Sequence, residues 1–261
     1  GVLGLHVFDY ATGDWLGSYP SGGQPPTNLE GGYGDTYVYK QIGLEVRGDV
    51  PFGAVEFGRK GFEDEEPLTV YYEDSFEIDY SDLTEAISKT WYGYDIATGL
   101  DGRVFVAPRS TDEYLVYAWA DDGTPILEIE REMGRVRRSA EEMETEEMLL
   151  RMKASAMGIE SQAAMSPDPY RPMIRGLEVD NSGNLWVLRG GVTDPFFDVY
   201  DRSGELAFHV ALDHSPPDGA SWRFHVGEPG ILAWAEDPAE GYQKVYLLEL
   251  RTGEVPARSD L

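Results

Sequence analysis

The most regular pattern along the chain is a series of short apolar runs separated by turns of Asp and Gly. From Leu100 the chain reads Leu-Asp-Gly-Arg-Val-Phe-Val-Ala, and from Val179 it reads Val-Asp-Asn-Ser-Gly-Asn-Leu-Trp-Val-Leu. An Asp/Gly turn between two apolar runs is the chemistry of a β-hairpin. The turn glycines of the two units are Gly102, Gly123, Gly183 and Gly204. Within each unit the two glycines stand 21 residues apart, which predicts two copies of one unit built from hairpins.

The distance between copies indicates how the hairpins assemble. A looser copy carries Gly230 and Gly253, and a partial copy carries Gly13. Gly204 and Gly253 stand 49 residues apart, which is about the length of one four-stranded propeller blade. One domain over 1–261 is therefore expected to hold a partial blade (1–19), an irregular blade (30–90) and three further blades (91–130, 174–212 and 220–255). The irregular blade is expected to use strands at 35–47, 54–60, 68–72 and 76–80.

A helical insertion is predicted at 139–169, between two of these blades. Ser139 followed by Glu142 has the spacing of a capping box, which predicts a helix start. Met143, Leu150 and Met157 then recur every seven residues and give one apolar stripe on a charged helix. This stripe either packs on the propeller or docks a partner protein, since methionine adapts to irregular surfaces.

These segments carry a family resemblance. The Asp-Gly-Arg-Val-Phe-Val-Ala-Pro frame, the charged insertion and the later Asn-Ser-Gly-Asn-Leu-Trp-Val-Leu and Asp-Val-Tyr-Asp-Arg-Ser-Gly segments resemble the six-bladed, NHL-like β-propeller proteins of bacterial envelopes. The resemblance covers mainly 94–253. It implies an all-β fold, a β-propeller with one α-helical insertion, which is six-bladed or an incomplete set of the later blades. It also implies a periplasmic or extracellular location.

Charge and composition exclude several classes of function. The chain has 48 acidic and 21 basic residues, a net charge of -27, which disfavours binding to nucleic acid. No apolar run approaches the roughly 20 residues that cross a bilayer, so no direct membrane insertion is expected. Without cysteine, a thiolate metal site or a cysteine nucleophile is impossible. Residues 1–8 lack the basic start of a signal peptide.

Motifs for catalysis and cofactor binding are not found. The four histidines have no metal-ligand spacing, and neither a Gly-x-Ser-x-Gly elbow nor a phosphate-binding loop occurs. We therefore expect no catalytic residue, no metal and no cofactor.

A ligand is expected at the axial end of the propeller, where the innermost strands begin. The residues expected at this mouth are Trp91, Tyr94, Asp95, Arg175, Trp222 and Arg223. Aromatic and arginine side chains suit a polar or anionic ligand, or a loop of a partner protein, although the tryptophans could equally wedge between blades. A lactonase-like site would need several acidic or amide ligands for a divalent ion, and only Asp95 is of this kind.

The function expected from the sequence is a non-catalytic, extracytoplasmic binding or scaffold module. Such a module could be an extrinsic subunit of a membrane-anchored assembly, with a protein as its partner. Two alternatives stay open at this point: a metal-dependent, lactonase-like hydrolase or lyase, and a carbohydrate-binding propeller.

Overall fold

The structure is a computed structural model that describes residues 4–8, 12–20, 28–64, 66–156, 166–191, 195–212, 221–227, 230–236 and 244–251. An N-terminal hairpin consists of β1 (Gly4–Phe8) and β2 (Trp15–Pro20). Blade 1 consists of β3 (Asn28–Tyr33), β4 (Thr36–Arg47), β5 (Val50–Gly61) and β6 (Thr69–Glu77). Blade 2 consists of β7 (Tyr94–Thr98), β8 (Val104–Pro108), β9 (Tyr114–Trp119) and β10 (Pro125–Arg131). Blade 3 consists of β11 (Gly176–Val179), β12 (Leu185–Gly190), β13 (Pro195–Tyr200) and β14 (Leu206–Ala211). Blade 4 has β15 (Ser221–Val226), β16 (Ile231–Glu236) and β17 (Val245–Leu248).

Each sheet is antiparallel, with its strands in chain order. The first strands of neighbouring blades lie side by side, β3 with β7, β7 with β11, and β11 with β15. Proximity of the innermost strands, combined with packing between the faces of successive sheets, is the geometry of a propeller. The predicted all-β propeller is therefore confirmed. The described residues form three complete four-stranded blades, one three-stranded blade and one hairpin.

The strand β8 shows why the blades must stack, because both of its faces are buried. Val104 and Val106 pack into the cluster shared with blade 1, which includes Phe57. Phe105 and Ala107, which alternate with these valines along the strand, pack into the cluster shared with blade 3, which includes Val187. Side chains alternate between the two faces of a strand, so a continuous apolar run serves two neighbours at once.

Four hairpin turns of blades 2 and 3 have the same geometry. In each, the N–H of the glycine donates to the carbonyl three residues earlier, at 2.8–3.0 Å, for example Gly183 to Asp180. The four glycines have a positive φ between +80° and +85°, which side chains rarely adopt. These are the turn glycines predicted from the sequence: Gly102, Gly123, Gly183 and Gly204.

One arginine joins each of these two pairs of turns to the preceding blade. Arg59 of blade 1 donates to the carbonyl oxygens of Gly102 and Asp121, at 2.6 and 3.2 Å. Arg103 of blade 2 donates to the corresponding carbonyl oxygens in blade 3, those of Gly183 (2.8 Å) and Arg202 (3.4 Å). The acceptors occupy equivalent turn positions in the two blades, so the same inter-blade bridge occurs twice.

Helices cover the other end of the blades. Between β6 and β7 lie the helix α1 (Thr84–Ile87) and a π-helical segment (Ser88–Tyr92). The helix α2 (Ala140–Ala156) lies between β10 and β11. Its predicted capping box is confirmed, because the Ser139 N–H donates to Glu142 Oε2 (2.8 Å) and the Glu142 N–H donates to Ser139 Oγ (3.1 Å).

Blade 1 differs in part from its predicted strands. Residues of the ranges 68–72 and 76–80 belong to one strand, β6 (Thr69–Glu77), because 73–75 continue the pairing with β5 and Tyr71 and Phe76 both reach the core. The strand β3 was not predicted, since its sequence is rich in glycine. Trp91, expected at the start of a blade, lies in the π-helical segment before β7.

We predict that Arg103→Met destabilises the protein by about 2 kcal/mol, because the Gly183 carbonyl loses a charged hydrogen-bond donor in a site where the arginine is only 12% exposed. Urea unfolding measures the change. Arg251→Met, at a side chain 82% exposed, is the control and should leave the unfolding free energy nearly unchanged. Equal losses in both variants would contradict the inter-blade role of Arg103.

Candidate functional site

Five charged side chains meet at the end of the propeller where the first strands begin. We call them the axial cluster: Lys40, Asp95, Arg109, Arg175 and Arg223. Asp95 lies in β7, Arg175 directly precedes β11, and Arg223 lies in β15, so three adjacent first strands each supply one residue. The Arg109 N–H bonds the Gly93 carbonyl at 2.7 Å, beside the start of β7. Lys40 pairs with Asn28, the first residue of β3.

Asp95 is the acidic member of the axial cluster and interacts electrostatically with all four cations. Burial raises the pKa of Asp95, while Arg109, Arg175, Lys40 and Arg223 lower it, and the pKa remains above its ordinary value of 3.8. The four cations come from four different blades, in a chain whose net charge is -27.

The members of the axial cluster differ in depth. Lys40 is only 6% exposed and its Nζ lies 5.9 Å from the centre of the Phe57 ring. Arg109 and Arg175 are half-buried, and Arg223 is exposed. A ligand that enters from solvent would meet Arg223 before it reached the buried lysine.

Arg175 is held by the backbone at the end of β12. Its Nη1 donates to the carbonyl oxygens of Gly190 (3.2 Å) and Gly191 (2.6 Å). Burial, followed by the positive charge of Arg109, lowers the pKa of Arg175 to about 10, which still leaves the guanidinium charged at neutral pH. Within the described parts of the chain, no hydrogen bond uses the Nε–Nη2 edge of this guanidinium. That edge is the donor pair that binds a carboxylate or phosphate with two parallel hydrogen bonds.

Tyr94 and Trp222, two other residues expected at the mouth, lie elsewhere. Tyr94 is 9% exposed, donates a hydrogen bond to Asp74 and packs edge-on against Phe57 at 5.5 Å. Trp222 is 8% exposed and packs against Tyr246. Each aromatic residue precedes a cluster residue in its strand and therefore faces the opposite side. The side chain of Trp91 lies outside the described part of the structure.

Lys40 and Arg109 belong to the axial cluster but were not predicted. Neither belongs to a first strand: Lys40 is on β4 and Arg109 follows β8. Pairing between strands brings them to the mouth. A search for charged residues at both ends of each inner hairpin, rather than at its first strand alone, would have found Arg109.

A second set of charged residues surrounds Asp198, which is completely buried in β13. Its Oδ2 accepts hydrogen bonds from Arg131 (2.8 Å), Arg189 (3.1 Å) and the Tyr114 hydroxyl (3.1 Å). Its Oδ1 is 2.7 Å from Nδ1 of His209. We call these five residues the Asp198 network. It joins blade 2 to blade 3, because Tyr114 and Arg131 belong to blade 2.

The Asp198 network is suited to holding charge in place rather than to proton transfer by its tyrosine. Burial, and then the negative charge of Asp198, raise the pKa of Tyr114, so the phenol stays protonated and donates to the carboxylate. Burial works to lower the pKa of Arg131, yet the carboxylate of Asp198 together with Tyr200 and Tyr114 raises it overall. The network therefore contains two permanently charged guanidinium groups on one carboxylate.

Of the three residues expected to dock a partner, Met143 and Leu150 lie on α2. Leu150 is 1% exposed and packs with Ala154 against Leu83 and Ile87, so it attaches the helix to its own chain instead of offering a docking surface. Met143 is half-buried, and Met157 lies outside the described residues. The methionines exposed on α2 are Met148 (53%) and Met152 (60%).

The basic segment before α2 is paired with acidic side chains. Arg135 bonds Asp112 at 3.1 Å and lies 3.6 Å from the centre of the Tyr170 ring. Arg138 bonds Glu146 at 2.6 Å. These contacts hold the two ends of the insertion together.

Across the parts of the chain that the structure describes, no three His, Asp or Glu side chains are placed to hold a metal ion together. In the same residues, no helix has the length and hydropathy to span a bilayer.

Comparisons with known proteins were made on the sequence and on the fold. No protein-family model and no curated protein matches the sequence. A crystal structure of HIRA (residues 644–1017) is similar over 87% of this chain and 57% of its own, with 14% identity and a TM-score of 0.33. The calcium-binding protein regucalcin from Agrobacterium tumefaciens is similar over 91% of this chain and 77% of its own, with 10% identity and a TM-score of 0.27. The chain thus spans a little over half of the HIRA structure.

We predict that ionisation of Asp95 lowers stability. Its pKa is raised in the folded protein, so the unfolded chain loses this proton first, and stability falls as the pH rises from 3.8 through the raised value. Urea unfolding from about pH 3 to about pH 7 should show the wild type losing stability relative to Asp95→Asn.

Asp122→Asn is the matched control with the opposite sign. Hydrogen bonds from Thr124 lower the pKa of Asp122, so the wild type should gain stability relative to this variant as the pH rises to 3.8. If stability relative to the two variants changed with pH in the same direction, the pKa of Asp95 would not be raised by burial.

We predict that Asp198→Asn costs about 3 kcal/mol or more, because Arg131 and Arg189 then share no carboxylate in a buried site. Urea unfolding measures the loss. Asp112→Asn, at an exposed acid paired with Arg135, should cost less than about 1 kcal/mol. A loss of less than about 1 kcal/mol for Asp198→Asn would contradict the buried network.

Proposed function

We propose that this protein is a non-catalytic β-propeller binding module that captures an acidic group of a partner protein at the axial cluster. The observation that carries the proposal is the convergence of Lys40, Arg109, Arg175 and Arg223 on the single carboxylate of Asp95. Blades 1, 2, 3 and 4 each contribute to this convergence. It is therefore a property of the assembled propeller and not of one loop.

The charge at the axial cluster favours an anionic ligand. Several cations that gather in a partly buried site attract an anion more strongly than dispersed surface cations do, because a low local dielectric strengthens the interaction. The Nε–Nη2 edge of Arg175 offers two donors, and its Nη1 bonds to two carbonyl oxygens fix its position before a ligand arrives. A carboxylate fits this geometry.

The depth of the axial cluster favours a group that projects from a larger molecule. Arg223 is exposed, whereas Arg109 and Arg175 are half-buried and Lys40 is 6% exposed. A glutamate or aspartate side chain of a partner protein would reach these cations while its backbone stays outside. The partner is accordingly proposed to be a protein, with neither nucleic acid nor membrane lipid as the ligand.

We propose further that the module acts outside the cytoplasm, in the periplasm or extracellularly, as an extrinsic subunit of a membrane-anchored assembly. The resemblance to envelope propellers supports this location, as does a net charge of -27 with only 5 lysines among its basic residues. A lactonase-like hydrolase would need a divalent cation beside Asp95, where four cations repel it. A carbohydrate site would need exposed aromatic rings at the mouth, whereas Tyr94 and Trp222 are buried.

We predict that a fluorescent tetraglutamate peptide binds the wild type, and that Arg175→Gln weakens binding at least about tenfold, because close charge pairs across an interface contribute more than about 1.4 kcal/mol. Asp95→Asn should strengthen binding, since it removes the competing carboxylate. Fluorescence anisotropy in about 0.5 M NaCl measures both, because salt at that level screens the distant acidic surface more than the half-buried cluster.

Arg251→Gln is the control for this binding experiment. It removes the same charge from an exposed pair with Glu249, far along the chain from the axial cluster, and should leave the affinity unchanged. Equal weakening by Arg251→Gln and Arg175→Gln, or no binding by the wild type, would overturn the proposal.

A further inference from the structure

The face of blade 4 that points away from blade 3 has the composition of a contact between blades. On the other face, Ile231 and Leu248 pack against blade 3. Leu232 and Leu247 alternate with these residues along β16 and β17, so they point away from blade 3. Leu247 is 58% exposed, and Val245, on the same side of β17, is 63% exposed. We call Leu232, Val245 and Leu247 the far face of blade 4.

Strand pairing identifies the residues of blade 3 that occupy the same positions as the far face. Leu232 is the second residue of β16 and pairs with Leu247. In blade 3, Trp186 is the second residue of β12 and pairs with Val199. Blade 4 covers Trp186 and Val199, and both are buried. The far face therefore has apolar side chains where a blade receives its neighbour, although two of the three are exposed.

The N-terminal hairpin has the register of the outer half of a blade. The pairing between the third and fourth strands skips one residue of the fourth strand, which is Ile126 in blade 2 and Ala207 in blade 3. The pairing of β1 with β2 skips Leu16. In all three hairpins the skipped residue lies three positions after a turn glycine with a positive φ, which before β2 is Gly13. The strands β1 and β2 therefore correspond to the third and fourth strands of a blade.

This blade has no inner half among the residues that the structure describes. There β1 pairs with β2 alone, whereas β9 and β13, its equivalents, each pair with a further strand. Phe8 ends β1 and is 58% exposed, while Trp119 and Tyr200, which end β9 and β13, are buried. The N-terminal hairpin thus lacks, in the described part of the chain, the strand partner and the burial of a complete blade.

No stretch of this sequence outside the described residues is long enough to supply the inner half. The inner hairpins of blades 2 and 3 span 15 residues each, 94–108 and 176–190. The longest such stretch, 252–261, has 10 residues. A hairpin that completes this blade would therefore come from outside these 261 residues.

The register also identifies which residue of an added first strand would reach the axial cluster. Asp95 pairs with Ala107, the fourth residue of β8. Arg223 pairs with Trp234, the fourth residue of β16. Asp95 and Arg223 thus hold the same position of a first strand, and both belong to the axial cluster. Since Lys40 of blade 1 and Arg223 of blade 4 both interact electrostatically with Asp95, a first strand between blades 4 and 1 would meet the same cations.

We propose that a β-hairpin of a partner protein completes the N-terminal blade. Its second strand pairs antiparallel with β1, its side chains cover the far face of blade 4, and an Asp or Glu of its first strand reaches the axial cluster. This inference rests on the proposed function for the acidic group and adds the form in which the partner presents it. In strand addition, main-chain hydrogen bonds provide affinity and contacts of alternate side chains provide specificity. The second strand of the partner is therefore expected to be apolar on both faces, as β8 is.

The probe for this proposal is a cyclic peptide with the sequence of residues 94–108, labelled with fluorescein. Tyr94 pairs with Pro108, so the two ends can be joined, and Asp95 stands at the position that reaches the axial cluster. Fluorescence anisotropy should show saturable binding to the full chain. The Asp95→Asn peptide should bind at least about tenfold more weakly, as expected for loss of one close charge pair. No binding of the first peptide, or equal binding of both, would overturn the proposal.

The tetraglutamate experiment separates this inference from the proposed function, because tetraglutamate can reach the axial cluster without strand pairing. Binding of tetraglutamate without binding of the cyclic peptide would overturn the hairpin and leave the proposed function standing. Binding of the cyclic peptide without binding of tetraglutamate would overturn the proposed function and support the added hairpin.

Leu247→Asp tests the far face. A carboxylate in an apolar contact is costly, so this variant should bind the cyclic peptide at least about tenfold more weakly. Leu100→Asp is the matched control, because Leu100 is 69% exposed in the turn between β7 and β8 and its replacement should leave the affinity unchanged. Equal affinities of the two variants would contradict the contact with the far face and overturn the proposal.

Hydrogen exchange shows where the peptide lies. Binding should slow the exchange of alternate amides in β1, because strand pairing protects them, and should leave β14, the outermost strand of blade 3, unchanged. Protection of β14 without protection of β1 would overturn the proposal. Light scattering should find one chain with one peptide, and a dimer of the chain that the peptide does not dissociate would assign the far face to a second copy and overturn it as well.

Discussion

The requirement that every blade be covered on both faces governs the rest of this structure. In β8, Val104 and Val106 depend on blade 1 while Phe105 and Ala107 depend on blade 3. No blade can therefore bury its apolar residues alone, and the sheets are stable only in succession. This arrangement also determines where the charged groups lie. They occupy the two ends of the sheets and the few interior positions where a carboxylate can be paired.

Positive charge is concentrated between blades although the chain as a whole is strongly acidic. Arg59 and Arg103 bind turn carbonyls of the next blade, and Arg131 crosses to Asp198 of blade 3. The acidic residues in excess lie mainly on the surface, where solvent and salt reduce their repulsion. The sparse basic residues thus make several of the polar contacts between the described sheets, and four of them gather around Asp95 in the axial cluster.

Local signals explain what could be predicted from the sequence. The left-handed turn glycines, such as Gly183, and the Ser139–Glu142 capping box depend on residues close in the chain, and both are confirmed. The axial cluster could be predicted only in part, because Lys40 and Arg109 reach it through strand pairing. Tyr94 and Trp222 were placed at the mouth because the sequence does not show which face of an inner strand points to the axis. Asp198, an acid inside the apolar run Phe-Phe-Asp-Val-Tyr, was a signal of a buried ion pair that the pattern already contained.

The position of α2 has a mechanical consequence. The helix belongs to the connection between blades 2 and 3, yet Leu150 and Ala154 rest on Leu83 and Ile87 in the connection between blades 1 and 2. It therefore spans blade 2 at one end, while Arg59 and Arg103 span the same blade at the opposite end. Restraints at both ends fix the angle between three consecutive sheets. The relative orientation of these three sheets is then set locally, by contacts at the two ends of blade 2.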